Sequence, residues 1–381
     1  MHPPARKSFR SAALVPIPAL KPVSIEYSQI LLEVVKRKAS DLHLTAGVPP
    51  MVRQRGRLAA LEDYPKLTPE DTREFIYSIL TTEQRRRLET DLQLDFAYVV
   101  PGHARFRVNA YFQRGAVAAA FRLIPSELIS IDSLGLPPVV HDLTRKPRGI
   151  VLVTGPTGSG KSTSLAAMID EINRTREEHI ITIEDPIEFV HGHRKCMINQ
   201  RELGNDALSF AAALKGALRE DPDVILVGEM RDLETISTAL TAAETGHLVF
   251  ATLHTQDAPQ TIDRVIDVFS PEQQNQVRVQ LSVTLQGIMT QQLLPTADGA
   301  GRCVACEVLI PTPAVRNLIR EGKIHQIPSV IQTGSSFGMQ SMDSALATLV
   351  RAGKITQDTA ESRSSTPDEL RRLLGGMALV A

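Results

Sequence analysis

The chain has 381 residues, and its 42 basic and 43 acidic residues give a formal net charge of −1. Hydrophobic residues make up 43% and charged residues 22%, which is ordinary for a globular protein and argues against a largely disordered chain. The near-neutral charge gives no electrostatic reason to expect nucleic-acid binding. A chain of this length is expected to form two or three domains.

The first 24 residues contain basic residues and a short apolar stretch that Pro16 and Pro18 interrupt. The stretch is too short to span a bilayer, and no cleavage site of small residues follows it. Residues 1–24 are therefore predicted to be a flexible tail rather than a signal peptide, and a cytoplasmic protein with reduced thiols is expected. Cys303 and Cys306 form a C-x-x-C pair, but a zinc site would want a second pair or suitably spaced histidines.

The sequence of residues 25–124 predicts a small α+β domain. Apolar positions at helical spacing predict a helix at its start, and Thr68, Pro69 and Asp71 have the pattern of a capped helix N-terminus. A further helix is predicted over about 82–91. Alternating and β-branched patterns predict short strands at SDLHL, PMVRQRGRLAAL, LDFAYVV, ARFRVNAYF and AVAAAFRLI.

The segment 125–148 is rich in proline and is predicted to be a linker between domains. After it come four apolar runs that end in polar or glycine residues: GIVLVTG, HIITIED, DVILVGE and HLVFATLH. Helical stretches separate most of them, which is the pattern of a parallel sheet buried on both faces. The sequence therefore predicts an α/β fold, with a second domain over 149–360 that is mostly helical from 261 onwards and a tail over 361–381.

The strongest chemical signal is a glycine-rich loop between the apolar strand Ile150–Val153 and a predicted helix that begins at Thr163. It matches the pattern G-x-x-x-x-G-K-[ST], whose glycines allow backbone N–H groups to surround phosphate oxygens at a helix N-terminus. Lys161 is expected to reach the β- and γ-phosphates of ATP, and Ser162 is expected to bind Mg²⁺. The predicted nucleotide-binding residues are Gly155, Pro156, Thr157, Gly158, Ser159, Gly160, Lys161, Ser162 and Thr163.

Two of the apolar runs end in acidic residues, at the edge where parallel sheets bind ligands. A usual Walker B strand ends in Asp followed by a second acid, but here Gly228 occupies the Asp position and only Glu229 remains. Glu229 is therefore predicted to orient or deprotonate the attacking water. Glu184 and Asp185, after the second run, are predicted to bind the metal together with Ser162. The alternative is that these acids are solvated or cap the following helix.

Histidines flank the fourth run. His254 follows the end of that strand and is a candidate to contact a γ-phosphate, whereas His247 precedes the strand and is a weaker candidate. His191 and His193 form an H-x-H pair without an apparent third metal ligand, so a surface loop is the expected location for both.

Four of the arginines of the N-terminal domain lie in or between its last two predicted strands: Arg105, Arg107, Arg114 and Arg122. On a strand, Arg105 and Arg107 share one face. From the residues alone a solvated basic face is the simpler interpretation, although an arginine from one domain can complete a phosphate site held by another.

Together these motifs resemble those of the secretion ATPase superfamily, and within it the PilT-type retraction ATPases of type IV pili. The resemblance covers roughly residues 25–360. In that family the motifs around Glu184, Glu229 and His254 are called the Asp box, the Walker B region and the His box. The matching stretches are SDLHLTAGVPPMVRQRG, ARFRVNAYFQRG, VTGPTGSGKSTSLAAMID, ITIEDPIEFVH, ALREDPDVILVGEMRDLETISTALTAAETGHLVFATLHT and AVRNLIRE.

The resemblance implies a PAS-like N-terminal domain followed by a RecA-like P-loop ATPase domain, assembled as a homohexameric ring that binds ATP between the two domains. Arg105 and Arg114 fall where members of the family place phosphate-contacting residues, so the resemblance makes both candidate catalytic residues. The missing Walker B Asp is usual in this family, so Gly228 does not indicate an inactive enzyme.

The implied function is an ATP-hydrolysing motor that retracts type IV pili in twitching motility. The resemblance places such a motor in the cytoplasm, at the inner membrane beneath the pilus, where it acts on a PilC-like platform protein. A PilU-like or PilB-like ATPase is a further implied partner, and no nucleic-acid partner is expected.

The stretch Thr312–Glu321 resembles the AIRNLIRE retraction motif of that family, with Val315 in place of Ile. Thr312 and the following proline are typical of a helix start. Helical spacing places three apolar side chains on one face, and an adjacent polar stripe contains two arginines. The apolar residues are Val315, Leu318 and Ile319, and the arginines are Arg316 and Arg320.

Three alternatives remain open from the sequence. An accessory retraction paralogue of the PilU type is close to the retraction ATPases. Pilus-extension and type II secretion ATPases of the superfamily usually have a longer N-terminal region and a zinc site with two cysteine pairs, and this sequence shows neither. A non-hydrolysing nucleotide-binding switch belongs to another class, and the complete P-loop and Glu229 argue against it.

Overall fold

The computed structural model describes residues 27–54, 56–124 and 128–375, so the predicted tail of residues 1–24 lies outside the described residues. The chain divides into two units. The first comprises the residues up to His103 together with Val108–Leu123, and the second comprises Ala104–Arg107 and the residues from Ile124 onwards. None of the helices within the described ranges is long and apolar enough to cross a bilayer.

Among the described residues up to Ile124 there are three helices and a six-stranded sheet, as the α+β prediction requires. Along the sheet the order is β3-β2-β1-β6-β5-β4, and β1 pairs antiparallel with both β2 and β6. The predicted strand PMVRQRGRLAAL forms two strands, β2 and β3. The elements are α1 (Tyr27–Lys36), β1 (Asp41–Leu44), β2 (Met51–Gln54), β3 (Arg57–Ala60), α2 (Pro69–Ser78), α3 (Thr82–Asp91), β4 (Gln93–Val100), β5 (Ala104–Gln113) and β6 (Ala116–Ile124).

The helices of the first unit begin where the sequence places them. Thr68 Oγ1 accepts a hydrogen bond from the Asp71 N–H at 3.1 Å, and Asp71 Oδ2 accepts one from the Thr68 N–H at 2.7 Å. This capping box supplies partners to backbone groups that have none inside the helix. The ring of Phe75 on α2 stacks against Tyr27 and Phe121, with centroids 4.6 and 5.7 Å away, so α1, α2 and β6 meet in one aromatic cluster.

The second unit is built on a seven-stranded sheet in the order β13-β12-β7-β11-β10-β8-β9. Neighbouring strands from β12 to β9 are parallel, and only β13 pairs antiparallel. The four predicted apolar runs form β7, β8, β10 and β11, and this prediction is confirmed. The strands are β7 (Gly149–Thr154), β8 (His179–Glu184), β9 (Met197–Glu202), β10 (Val224–Val227), β11 (Leu248–Leu253), β12 (Leu285–Pro295) and β13 (Arg302–Leu309).

Helices cover both faces of this sheet. Ile150 and Leu152 of β7 pack into one core, and Val151 and Val153 of the same strand pack into the other, because successive side chains point to opposite faces. The helices are α4 (Ile131–Leu134), α5 (Val139–Thr144), α6 (Lys161–Thr175), α7 (Phe210–Ala217), α8 (Leu233–Glu244), α9 (Ala258–Asp267), α10 (Pro271–Thr284), α11 (Pro313–Arg320), α12 (Ile327–Thr333), α13 (Met342–Arg351), α14 (Gln357–Arg363) and α15 (Pro367–Leu374).

The region from residue 261 onwards is mostly helical, but it also contains β12 and β13, which the sequence did not predict. No turn separates β12 from the preceding helix, since α10 ends at Thr284 and β12 begins at Leu285. Cys306 on β13 is buried and Cys303 is partly exposed. In a strand, residues three apart point to opposite faces, so the C-x-x-C pair does not form one site.

Much of the segment predicted as a linker, 125–148, packs into the second unit. It forms α4 and α5, and the side chains of Ile131, Val140 and Leu143 are buried in the same core as the apolar face of α6. The sequence predicted a tail over 361–381, but part of this segment is helical. The helix α15 reaches Leu374, and the side chain of Leu370 is fully buried.

The helix of the AVRNLIRE stretch, α11, begins at the predicted cap, where Thr312 Oγ1 accepts from the Val315 N–H at 3.5 Å. Of the two arginines in the predicted polar stripe, Arg320 is exposed and Arg316 is partly buried. Its guanidinium donates to the carbonyls of Ser282, Val283 and Leu285 at the end of α10. A cation that pairs with the last carbonyls of a helix stabilises that end, so Arg316 fixes α11 to the C-terminus of α10.

His141 connects the former linker to the long helix α6. Its Nδ1 lies 2.7 Å from Glu171 Oε2 on α6, and its Nε2 lies 2.9 Å from Asp132 Oδ1 on α4. The hydrogen bonds with Asp132 and Glu171 raise the pKa of His141 above its ordinary value, although burial opposes them. The protonated ring therefore stabilises the attachment of α4 and α5 to α6.

This arrangement predicts a pH dependence of stability. Because the folded pKa is raised, the contribution of His141 is fully present below the unfolded pKa of about 6.5 and is lost as the pH rises through the folded pKa. We expect the free energy of unfolding in urea to fall less between about pH 5.5 and about pH 8.5 in His141→Gln than in the unmodified chain. His325→Gln, at an exposed histidine, is the matched control, and equal falls in all three proteins would contradict the prediction.

Candidate active site

The glycine-rich loop lies between β7 and α6, as its pattern predicts. Gly155 has a φ of +137°, and a Cβ there would collide with the backbone oxygen of Gln291 on β12, so only glycine fits. Gly160 is left-handed at the N-cap of α6, which leaves the first N–H groups of that helix directed at the loop. Lys161 Nζ donates to the carbonyls of Gly155 and Pro156 at 2.7 and 3.1 Å.

The loop forms one wall of a cavity of about 370 Å³ at the carboxyl ends of β8, β10 and β11. Seven of the nine predicted nucleotide-binding residues line it: Thr157, Gly158, Ser159, Gly160, Lys161, Ser162 and Thr163. The opposite wall contains the predicted acids and histidine, namely Glu184, Asp185, Glu229 and His254. The structure thus brings together residues from four separate motifs, and their individual roles stay predictions.

Gly228 explains how this cavity is arranged without a Walker B aspartate. Its N–H donates to the carbonyl of Ile183 at 2.7 Å. A Cβ at position 228 would lie 3.1 Å from that carbonyl oxygen and 3.2 Å from Glu184 Cα, which is tighter than ordinary contact. The end of β8 therefore occupies the space that an aspartate side chain would need, and it brings Glu184 to the cavity instead.

Glu184 and Glu229 have opposite electrostatic environments. Burial raises the pKa of Glu184 above its ordinary value, against hydrogen bonds from Thr182, Gln200 and a backbone N–H. Burial also acts to raise the pKa of Glu229, but the hydrogen bond from Arg231 and nearby positive charges outweigh it and lower that pKa. Opposed shifts in neighbouring carboxyl groups are typical of active sites where two acids have different tasks.

Glu229 is held by two basic side chains. Its Oε1 lies 2.6 Å from Arg231 Nε and 3.0 Å from His254 Nε2. The predicted contact of His254 with a γ-phosphate is compatible with this position, because His254 also lines the cavity. Arg231 was missed in the sequence, although its place two residues after Glu229 at the end of β10 is a signal that could have found it.

The oxygen donors of the cavity fit a magnesium ion. Mg²⁺ prefers hydroxyl and carboxylate oxygens, and it is usually bound through one or two carboxylates together with phosphates of the substrate. Ser162, Glu184 and Asp185 line the same cavity. Across residues 27–54, 56–124 and 128–375, no group of three histidine, cysteine or acidic side chains is placed to hold a metal alone. The residues therefore suit a cation that arrives with the nucleotide.

The candidate arginines and the other candidate histidines are absent from the lining of this cavity. Arg105 lies on β5, and Arg114 follows it in the turn before β6 with a φ of +48°. Contact of either arginine with a phosphate stays a prediction. His247 has a structural partner, since its Nδ1 lies 2.9 Å from the Ala242 carbonyl oxygen. The predicted surface location of His191 is wrong, because this side chain is buried.

The family model for type II/IV secretion system proteins matches residues 19–344. The chain belongs to this family. The type IV pilus retraction ATPase PilT of Pseudomonas aeruginosa is 52% identical over 344 residues, which cover 90% of this chain and 99% of that protein. The type IV pilus ATPase PilU of the same organism is 41% identical over 350 residues, with 92% and 91% covered.

A crystal structure of the pilus retraction motor PilT with bound ADP superposes with a TM-score of 0.86. Its sequence is 54% identical, and the match covers 91% of this chain and 98% of that one. These similarities confirm the predictions of the α/β fold, of a nucleotide-binding ATPase of the secretion family, and of resemblance to the retraction type.

The close contact at Gly228 predicts the effect of adding one methyl group. In Gly228→Ala the new Cβ displaces the end of β8 and with it the carboxyl group of Glu184, so we expect the ATPase kcat to fall by about 10-fold or more. We also expect the free energy of unfolding to fall by about 1–3 kcal/mol, as overpacking does elsewhere. Steady-state hydrolysis and urea unfolding measure the two effects.

Gly192→Ala is the matched control, because Gly192 has open space at its Cβ and is not restricted to a left-handed conformation. Wild-type kcat in Gly228→Ala would show that the end of β8 tolerates the methyl group and that Gly228 does not determine the position of Glu184.

Proposed function

We propose that the chain is an ATP-hydrolysing motor that powers the retraction of type IV pili. The observation that carries the proposal is the single cavity that joins the P-loop with Glu184, Glu229 and His254. The 52% identity to a retraction ATPase over nearly its whole length supports the coupling of this site to pilus retraction.

Each part of the cavity has a task in the proposed hydrolysis. The P-loop N–H groups and Lys161 bind the phosphates, and Ser162, Glu184 and Asp185 hold the magnesium ion. When bound, Mg²⁺ neutralises the charge on the phosphate oxygens. Glu229 has a lowered pKa and two basic neighbours, so it is ionised and fixed in direction, which suits it to orient the attacking water.

The arginines complete the site in this proposal. Arg105 or Arg114 of a neighbouring N-terminal domain contacts the phosphates and stabilises charge in the transition state. Such a contribution requires the homohexameric ring that the sequence resemblance implies. Since α4 and α5 pack into the second unit, we expect them to move with it if the two domains move relative to each other during the cycle.

The partners and location of the motor follow from the same proposal. The ring acts on a PilC-like platform protein in the inner membrane and lies on the cytoplasmic side of it, at the base of the pilus. A PilU-like or PilB-like ATPase shares that platform. The accessory retraction role is the second candidate function, and the identity to PilU, 41% against 52%, favours it less.

The site assignment predicts that two single substitutions abolish hydrolysis. Lys161→Ala removes the cation at the phosphates, and Glu229→Gln removes the charge that orients the water, so we expect each to lower the ATPase kcat by at least about 100-fold. Glu234→Gln, at an exposed acid on α8, is the matched control and keeps the wild-type rate. Normal turnover in either active-site variant would refute the roles given to these residues.

The cellular role predicts the number of surface pili when the gene is deleted. Because a retraction motor removes pili, the deleted strain is expected to carry excess pili and to lose twitching, and the wild-type gene but not the Lys161→Ala gene is expected to restore both. Electron microscopy and a twitching assay provide the measurements. Cells without pili would indicate an extension ATPase, and a normal pilus number without twitching would indicate the accessory role.

A further inference from the structure

The carboxyl group of Glu184 is held by two polar side chains that the sequence did not single out. Thr182 Oγ1 donates to Glu184 Oε1 at 2.6 Å, and Gln200 Nε2 lies 3.2 Å from the same oxygen. Thr182 lies two residues before Glu184 on β8 and is fully buried. Gln200 lies on the neighbouring edge strand, β9. Both donors converge on one oxygen from two different strands.

The orientation of the Gln200 amide is fixed by its other contacts. Its Oε1 accepts a hydrogen bond from the His191 N–H at 2.7 Å, so the amide atom that faces Glu184 is Nε2. That nitrogen also donates to the carbonyl of Phe189 at 2.9 Å. Gln200 can therefore present only an N–H to Glu184, and a rotated amide would lose two hydrogen bonds to the backbone.

The loop that follows Glu184 is attached to β9 in the same way. Glu202, two residues after Gln200 on β9, accepts from the Ile187 N–H at 3.1 Å. Residues two apart on a strand share a face, so Gln200 and Glu202 together hold the backbone from Ile187 to His191. The edge strand β9 thus fixes the loop, and Gln200 connects that loop to the carboxyl group at its start.

A second cavity beside Glu184 indicates why the hydrogen bonds to its carboxyl group matter. A smaller cavity of about 40 Å³ has Ser162, Glu184, His191 and Gly228 in its lining. Space beside the Glu184 carboxyl group would allow it to rotate. The hydrogen bonds that Thr182 and Gln200 direct to Oε1 restrict that rotation.

We propose that Thr182 and Gln200 are positioning residues that fix the Glu184 carboxyl group for the magnesium-bound nucleotide. The inference rests on the proposed function, because it takes Glu184 to bind the metal. Residues that orient a metal ligand in this way typically affect metal affinity or activity by about 10-fold to 100-fold when they are replaced.

The test replaces each donor by a side chain of similar shape without the polar atoms. We expect Gln200→Leu and Thr182→Val each to lower the ATPase kcat by about 10-fold to 100-fold, while the KM for ATP changes by less than about 3-fold. Thr182→Ser keeps the hydroxyl and is expected to restore most of the kcat. Asn199→Leu, at the neighbouring residue of β9 whose exposed amide contacts His179, is the matched control.

A binding measurement separates positioning from general damage to the fold. We expect ADP in the presence of a chelator to raise the Tm of Gln200→Leu as much as it raises the Tm of the wild-type protein. Adding Mg²⁺ to ADP is expected to raise the Tm of the wild-type protein further, and this second increase is expected to be lost in Gln200→Leu. A wild-type kcat and a wild-type Mg²⁺ increment in both variants would overturn the inference. So would loss of the chelator-ADP increment, because that outcome indicates structural damage rather than loss of the metal ligand's orientation.

Glu184→Gln, measured in parallel, distinguishes the two levels of the proposal. If Glu184→Gln keeps the full kcat and the full Mg²⁺ increment, then the metal-binding role in the proposed function fails, and the inference fails with it. If Glu184→Gln is impaired while Gln200→Leu and Thr182→Val are normal, only the positioning role is overturned.

Discussion

The active site depends on the close approach of β8 to Gly228. The hydrogen bond of 2.7 Å from the Gly228 N–H to Ile183, with 3.2 Å between a hypothetical Cβ and Glu184 Cα, makes any side chain at position 228 a tight contact. A side chain at this position would require the end of β8 to shift by a few tenths of an ångström, and glycine avoids this shift. The consequence in the proposed function is chemical, since Glu184 of the neighbouring strand takes the part of the acid that the Walker B strand lacks.

In the sheet of the second unit, the sequence predicted the central strands whose apolar runs are continuous and missed β9, β12 and β13. β7, β8, β10 and β11 are central and fully covered, so their runs are continuous. β9 has the sequence MINQRE with only Ile198 and Glu202 buried, because an edge strand is covered less. β12 has no turn before it, and its pairing with β7 depends on contacts distant in sequence, which local pattern cannot show.

The same limit applies to the candidate site. Glu184, Glu229, His254 and the P-loop could be found because each follows or precedes an apolar run, and the end of a parallel strand is where ligands bind. Gln200 lies in a polar stretch with no such mark, and its role appears only when β9 pairs with β8 and places it beside Glu184. Arg316 is a similar case, since nothing in the local sequence connects it to the carbonyls of α10.

Glu184 and Glu229 differ in whether basic side chains of the protein lie beside their carboxyl groups. Glu229 has Arg231 and His254 within 3.0 Å, so the protein itself stabilises its negative charge before any ligand binds. Glu184 is surrounded by neutral donors, and the charge that acts on it is the negative one of Glu188, which adds to the effect of burial and raises its pKa. A buried carboxylate without a cation is unfavourable, and in the proposed function a magnesium ion bound to the nucleotide would supply that cation. In the proposed function Glu184 is thereby coupled to nucleotide binding, whereas Glu229 has its basic partners beforehand, and this difference supports giving the metal to Glu184 and the water to Glu229.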